Sequence, residues 1–229
     1  MRQLFNLLLS ICLVTTLTIA PSRAEKLIGA PVGLIPSKFA RCPKNKQAAK
    51  YFREAQKLGR ECDIDGSIAC YSQALVLDPL NSSIYEARGT SLFVKRRYQQ
   101  AINDFDKSIS IDKSNYLSYS GRGYAKDFLN DRRGALQDLD TAIRLCPQDS
   151  NLYTSRSDVR LKLGDSAGAL KDANKAISLN PNNAWFYYSR SRLLAQTGDS
   201  TSALRDLRKA SSLNSRFKSN RVPRYIYGN

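Results

Sequence analysis

The sequence predicts an all-α fold, a solenoid of five helix–turn–helix repeats, and three observations predict it. Residue types return every 34 positions: Tyr51, Tyr85, Tyr119, Tyr153 and Tyr187 share one phase, and Ser67, Ala101, Ala135, Ala169 and Ala203 share another. Each period divides into two stretches of about fourteen residues whose apolar positions fall at helical spacing. Turn formers punctuate the stretches, with Asn130, Gly164 and Gly198 in mid-repeat and Pro79, Pro147 and Pro181 near its end.

Residues 1–24 stand outside the repeat. Arg2 precedes an uncharged apolar run from Leu4 to Ala20, and Ser22-Arg23-Ala24 closes it with small residues where a signal peptidase reads. This predicts a secretory signal peptide cleaved before Glu25, hence a periplasmic or secreted protein. The alternative is an uncleaved anchor, because the run is at the short end of what spans a bilayer. A basic arm, 25–47, follows.

The formal net charge is +16, with 36 Lys and Arg against 20 Asp and Glu. The excess is concentrated at the ends, in the arm and in a basic tail, 216–229, that holds Arg216, Lys218, Arg221 and Arg224. Such a chain is drawn to anionic surfaces, but this alone names no ligand. Of the five cysteines, Cys12 falls in the signal. Cys42 is expected to pair with Cys62 or Cys70 and so tie the arm to the first repeat; the alternative is that Cys70 and Cys146 are simply small buried residues. With no histidine and no paired CxxC, no metal site is predicted.

The array spans 48–215, as repeats 48–81, 82–115, 116–149, 150–183 and 184–215. Counting from the start of each, position 4 is the tyrosine and position 8 is small: Ala55, Gly89, Gly123, Ser157 and Ser191. Four residues apart, they share a helical face. In the second helix position 20 is small, position 24 is apolar (Tyr71, Phe105, Leu139, Ala173, Leu207) and position 30 is aliphatic (Leu77, Ile111, Leu145, Leu179, Leu213). Small residues at 8 and 20 let the helices approach. Asn130, Gly164 and Gly198 at position 15 suit a left-handed helix stop, and Asp165 and Asp199 then cap the next helix. Proline at position 32 closes the second helix.

These residues resemble the tetratricopeptide repeat family. Tyr85-x2-Arg88-Gly89-x2-Leu92 followed by Ala101-x3-Phe105 matches its pattern, with tyrosine in place of tryptophan and arginine at position 7. The resemblance implies a right-handed α-solenoid whose concave groove, lined by first helices, binds a protein or extended peptide.

Position 7 is Arg88, Arg122, Arg156 and Arg190 in repeats two to five, and position 23 is Asp104, Asp138, Asp172 and Asp206. Repeat one has Glu54 and Cys70 instead. Joint presence and absence predicts contact, as exposed pairs contributing about 0–1 kcal/mol each.

No triad, phosphate loop or isolated carboxylate pair is present, so the protein is read as a non-enzyme without cofactors. Carrying the family's groove positions onto this chain gives Phe52, Phe93, Tyr124, Phe128, Asp158, Lys162, Trp185, Tyr188 and Arg192 as candidate binding residues, aromatic anchors flanked by charge. The family's chaperone-tail clamp, lysine and asparagine at positions 5 and 9, is lacking in repeats one to three. The last apolar face, around Ala210 and Leu213, must be covered by the tail, by a second copy or by a partner. The reading is an exported scaffold or adaptor that helps to assemble or maintain an envelope complex. No specific nucleic acid is expected, and a membrane is met only through an uncleaved signal or surface charge. The alternative is a polyanion binder that uses its basic arms on anionic lipid, glycan or nucleic acid.

Overall fold

A computed structural model describes residues 45–217. The expected signal peptide, the arm up to Lys44 with Cys42, and the tail beyond Phe217 lie outside the described residues. Among the described residues there are ten α-helices and no strand. The chain divides into two compact units, the first ending at Leu129 and the second beginning at Asn130. The division falls between the two helices of the third repeat.

The first unit holds α1 Lys46–Arg60, α2 Ile64–Leu77, α3 Ser82–Val94, α4 Tyr98–Ile111 and α5 Tyr116–Phe128. The second holds α6 Arg132–Leu145, α7 Ser150–Lys162, α8 Ser166–Leu179, α9 Ala184–Gln196 and α10 Ser200–Leu213, then a single 3-10 turn, Ser215–Phe217. Local chemistry fixes these ends. The Asp63, Asp131, Asp165 and Asp199 carboxylates accept from the amide three residues on, at the starts of α2, α6, α8 and α10. The first helices of repeats two to five are capped from position 34, by Asn81, Asn115, Asp149 and Asn183.

Position 15 is left-handed in all five repeats. Gly164 and Gly198 have φ of 86° and 93°, and Asn130 has 70°, as expected. Cys62 (68°) and Arg96 (61°) adopt the same conformation, although neither residue type favours it. The turn is therefore imposed by the helix pair and merely eased by glycine.

Within the first unit each second helix lies between its own first helix and the next, and α3 also meets α5. In the second unit α7, α8, α9 and α10 pack likewise, and α7 meets α9. This is the helix-pair packing of tetratricopeptide solenoids. Position 24 is buried throughout. The Phe105 ring shows why small residues surround it: a Cβ on Gly121 would run into the ring, and one on Gly89 would stand 3.0 Å from it. Position 30 differs from a core expectation, since Leu77, Ile111 and Leu145 are exposed at the helix ends. Position 27 is buried in every repeat instead, alongside 20 and 24, and is occupied by Ala74, Ser108, Ala142, Ala176 and Ala210. Where Ser108 replaces alanine its hydroxyl donates to the Ser82 carbonyl and accepts from Ser118, so the buried polar group is satisfied.

Candidate protein-binding site

The arginine at position 7 fixes the face on which the candidate residues stand. Arg88 donates to Asp104 from Nε and Nη2, both at 2.7 Å. Arg156 does the same to Asp172 at 2.8 and 2.6 Å, and Arg190 to Asp206 at 2.6 and 2.7 Å. The expected contact is therefore present in repeats two, four and five, but its expected exposure is not. Asp104, Asp172 and Asp206 are only 6, 2 and 5 % exposed. The tyrosine at position 4 stands three residues before each arginine. Its ring lies 5.7 Å from the guanidinium carbon for Tyr153 and Arg156, so each arginine is held between a ring and the carboxylate it pairs with. Hydrogen bonds donated to these aspartates raise the pKa of Arg88, Arg156 and Arg190.

Each arginine also reaches backward. Its Nη1 donates to position 25 of the preceding repeat: Arg88 to Ser72 at 3.1 Å, Arg122 to Asp106 at 2.6 Å, Arg156 to Asp140 at 2.8 Å and Arg190 to Asn174 at 2.7 Å. The ladder thus binds repeats as well as helices within a repeat. It explains Glu54 at position 7 of repeat one, which has no repeat before it, and Arg208 at position 25 of repeat five, which has no repeated arginine after it to accept from. The sequence carried this signal as acceptors sixteen residues before each arginine.

With these arginines engaged in architecture, the candidate residues fall into separate groups. In the first unit Phe93, Tyr124 and Phe128 come together, Phe93 to Phe128 at 5.3 Å edge-on and Phe93 to Tyr124 at 6.3 Å. Tyr98, from the start of α4, joins them and stacks on Phe128 at 4.9 Å. Sequence reasoning missed Tyr98 because it looked only along first helices. Phe128 is 47 % exposed and Phe93 is buried, so the cluster offers an open ring on a fixed base. Phe52 is not part of it: it is buried against Tyr71, 5.5 Å away, and serves the core.

In the second unit Trp185 and Tyr188 stand on α9, 5.6 Å apart. Phe217, in the turn after α10, lies 5.0 Å from Tyr188 and 6.3 Å from Trp185, while the Ser211 hydroxyl donates to its carbonyl. Asp158 and Lys162 are exposed on α7, and Arg192 is half-buried on α9. Cys62 and Cys70 are half-buried, and pairing with Cys42 lies outside the described residues. Trp185 is the only tryptophan, so its emission reports this contact. Phe217→Ala is expected to shift that emission to longer wavelength and to lower stability by about 1 kcal/mol; unchanged emission would contradict the contact.

One further group was not singled out by sequence. Glu86 at position 5 of α3 is 4 % exposed, and burial pushes its carboxyl up to about 7. Its one hydrogen bond among the described residues comes from the Thr90 hydroxyl, at 3.3 Å. Among the described residues there is no cluster of three metal-ligating groups, and no helix is long and apolar enough to cross a membrane.

Three family profiles described as tetratricopeptide repeat match residues 52–115, 150–183 and 173–205, together more than half of the chain. With the paired-helix packing above, this places the chain in the tetratricopeptide repeat family. Its solved neighbours agree on the fold. A crystal structure of MamA is 23 % identical over 71 % of this chain and 95 % of its own, with a TM-score of 0.61. YrrB, described as a TPR protein with an unusual peptide-binding site, is 24 % identical over 75 and 89 %, with a TM-score of 0.57. TTC0263, a thermophilic TPR protein of Thermus thermophilus, is 16 % identical over 74 and 96 %, with a TM-score of 0.64. At these identities the likeness shows the fold alone. No curated protein is similar enough to count as a relative. The fold is that of a scaffold, compatible with binding a protein or peptide.

Proposed function

We propose that this chain is an exported scaffold that binds an extended segment of a partner protein along its first helices and so helps to assemble or maintain an envelope complex. The observation that carries the reading is the aromatic cluster of Phe93, Tyr98, Tyr124 and Phe128. Rigid rings on a buried base are the usual anchors of protein interfaces, because they offer large contact area with little conformational entropy to lose. YrrB's peptide-binding site is a parallel within the same fold. The apolar run at 4–20 and the small residues before Glu25 support export.

The test is purification of the protein from its own cells, with sequencing of its N-terminus and recovery of whatever is bound. A mature chain starting at Glu25 is expected. Tyr124→Ala with Phe128→Ala should reduce recovery of the bound protein at least about tenfold, the loss of a modest hot spot. Full recovery in the double variant would exclude this face. Binding through the basic arms instead would weaken steeply with added salt, whereas aromatic anchoring should persist.

A further inference from the structure

Glu86 has no structural duty in the repeat. The same position in the other repeats holds Phe52, Ser120, Thr154 and Tyr188, so helix packing requires no acid there. Yet Glu86 is among the most buried charged groups described, and no lysine or arginine among the described residues forms an ion pair with it. Thr90 occupies Oε1. Oε2 has no hydrogen bond among the described residues, and it is not among the side-chain atoms wholly shut off from solvent. A carboxylate withdrawn from water and left half-satisfied is unfavourable, and a cation arriving at Oε2 would recover that loss.

Its surroundings suit such a visitor. Glu86, Thr90 and Phe93 are spaced four and three residues apart on α3, so they share one face. Phe93 is the base of the aromatic cluster. Seven residues of helix span about 10 Å, the length of about three residues of extended chain.

We infer that Glu86 is the recognition site for a basic side chain of the bound peptide, a lysine or arginine about three residues from an aromatic or large apolar residue that docks on the Phe93–Tyr98–Tyr124–Phe128 cluster. The inference rests on the proposed binding of an extended segment along the first helices and adds to it the chemistry of the partner. Charge gives it a sharp signature. The protein is strongly basic, so long-range repulsion disfavours cationic peptides, and a preference for lysine must come from a local acid.

The test uses the full chain and fluorescent pools of short capped peptides. Each pool has a fixed phenylalanine and, three positions away, a fixed lysine, norleucine or glutamate, with other positions randomised. Wild type should bind the lysine pool about tenfold more tightly than the norleucine pool, as expected for a charge-assisted hydrogen bond. Glu86→Gln keeps the shape and the Thr90 hydrogen bond; it should bring the lysine and norleucine pools to equal affinity. Glu54→Gln, which removes an exposed acid of α1, should leave the preference intact. Equal binding of the lysine and norleucine pools by wild type overturns the inference while leaving the peptide-binding reading standing. A lysine preference that survives Glu86→Gln, or that is lost equally in Glu54→Gln, overturns it too. Failure of every pool to bind overturns both.

Discussion

Arg190→Ala is expected to destabilise the unit from Asn130 onward by about 3–5 kcal/mol, the usual consequence of stripping a buried charge of its partner. Asp206 is 5 % exposed and its only cation among the described ion pairs is Arg190. Arg156→Ala provides the comparison. Asp172 is as deeply buried, but Arg160 donates to its Oδ2 at 2.8 Å and would remain. Its loss should therefore be smaller, about 1–3 kcal/mol for the hydrogen bonds to a charged group. Denaturant unfolding of the two variants checks the order. If Arg190→Ala costs no more than an exposed pair, under about 1 kcal/mol, the aspartates are not buried as described.

Glu86 supplies the second large effect, on the first unit. Its carboxyl is raised by burial from the ordinary 4.5 to about 7, so the native state holds the proton more tightly than the unfolded chain does. Stability from this group is then greatest below about pH 4.5, falls as pH rises towards 7 and is level above it. A shift of this size corresponds to about 3 kcal/mol. Glu86→Gln, which cannot ionise, should match wild type near pH 4.5 and exceed it by up to about 3 kcal/mol at pH 8. Other groups titrate over the same range, so the difference between the two proteins is the quantity to follow. A constant difference from pH 4.5 to pH 8 would mean that Glu86 is solvated.

Much of this molecule is written in its period. The tyrosine, the small residues, the position-24 side chain and the left-handed stop at 164 and 198 follow from local spacing, because each depends on one helix or one turn. The pairing of positions 7 and 23 was also legible, since both vanish together in repeat one. What the pairing looks like was not. That Asp104, Asp172 and Asp206 are buried is a matter of depth in the packed helix pair, which spacing along the chain does not report. The second acceptor, at position 25, lies in the preceding repeat and becomes meaningful only once repeats are stacked. Arg96 and Cys62 show the reverse limit: they take a glycine's conformation without a glycine's propensity, because the helix pair over-determines the turn. Position 34 is a plain omission, with Asn81, Asn115, Asp149 and Asn183 displaying the cap in sequence.

The candidate site was legible in part. Carrying family positions onto this chain found Phe93, Tyr124 and Phe128 and placed Trp185 beside Tyr188. It could not separate Phe52, which the core absorbs, from Phe128, which stands open, because helical phase does not report depth. It overlooked Tyr98, which enters from a second helix, and Phe217, which returns from beyond the array. Glu86 was visible as a departure from its siblings, but its burial was not.

The most direct measurement of the central claim is site-specific photo-crosslinking of the protein in its own cells, with the reactive residue placed at Tyr124 or Phe128 on the first-helix face, or at Lys175 or Lys209 on second helices. The expected result is one partner protein joined from Tyr124 and Phe128 and nothing from Lys175 and Lys209. A partner captured from the lysine positions alone would contradict binding along the first helices.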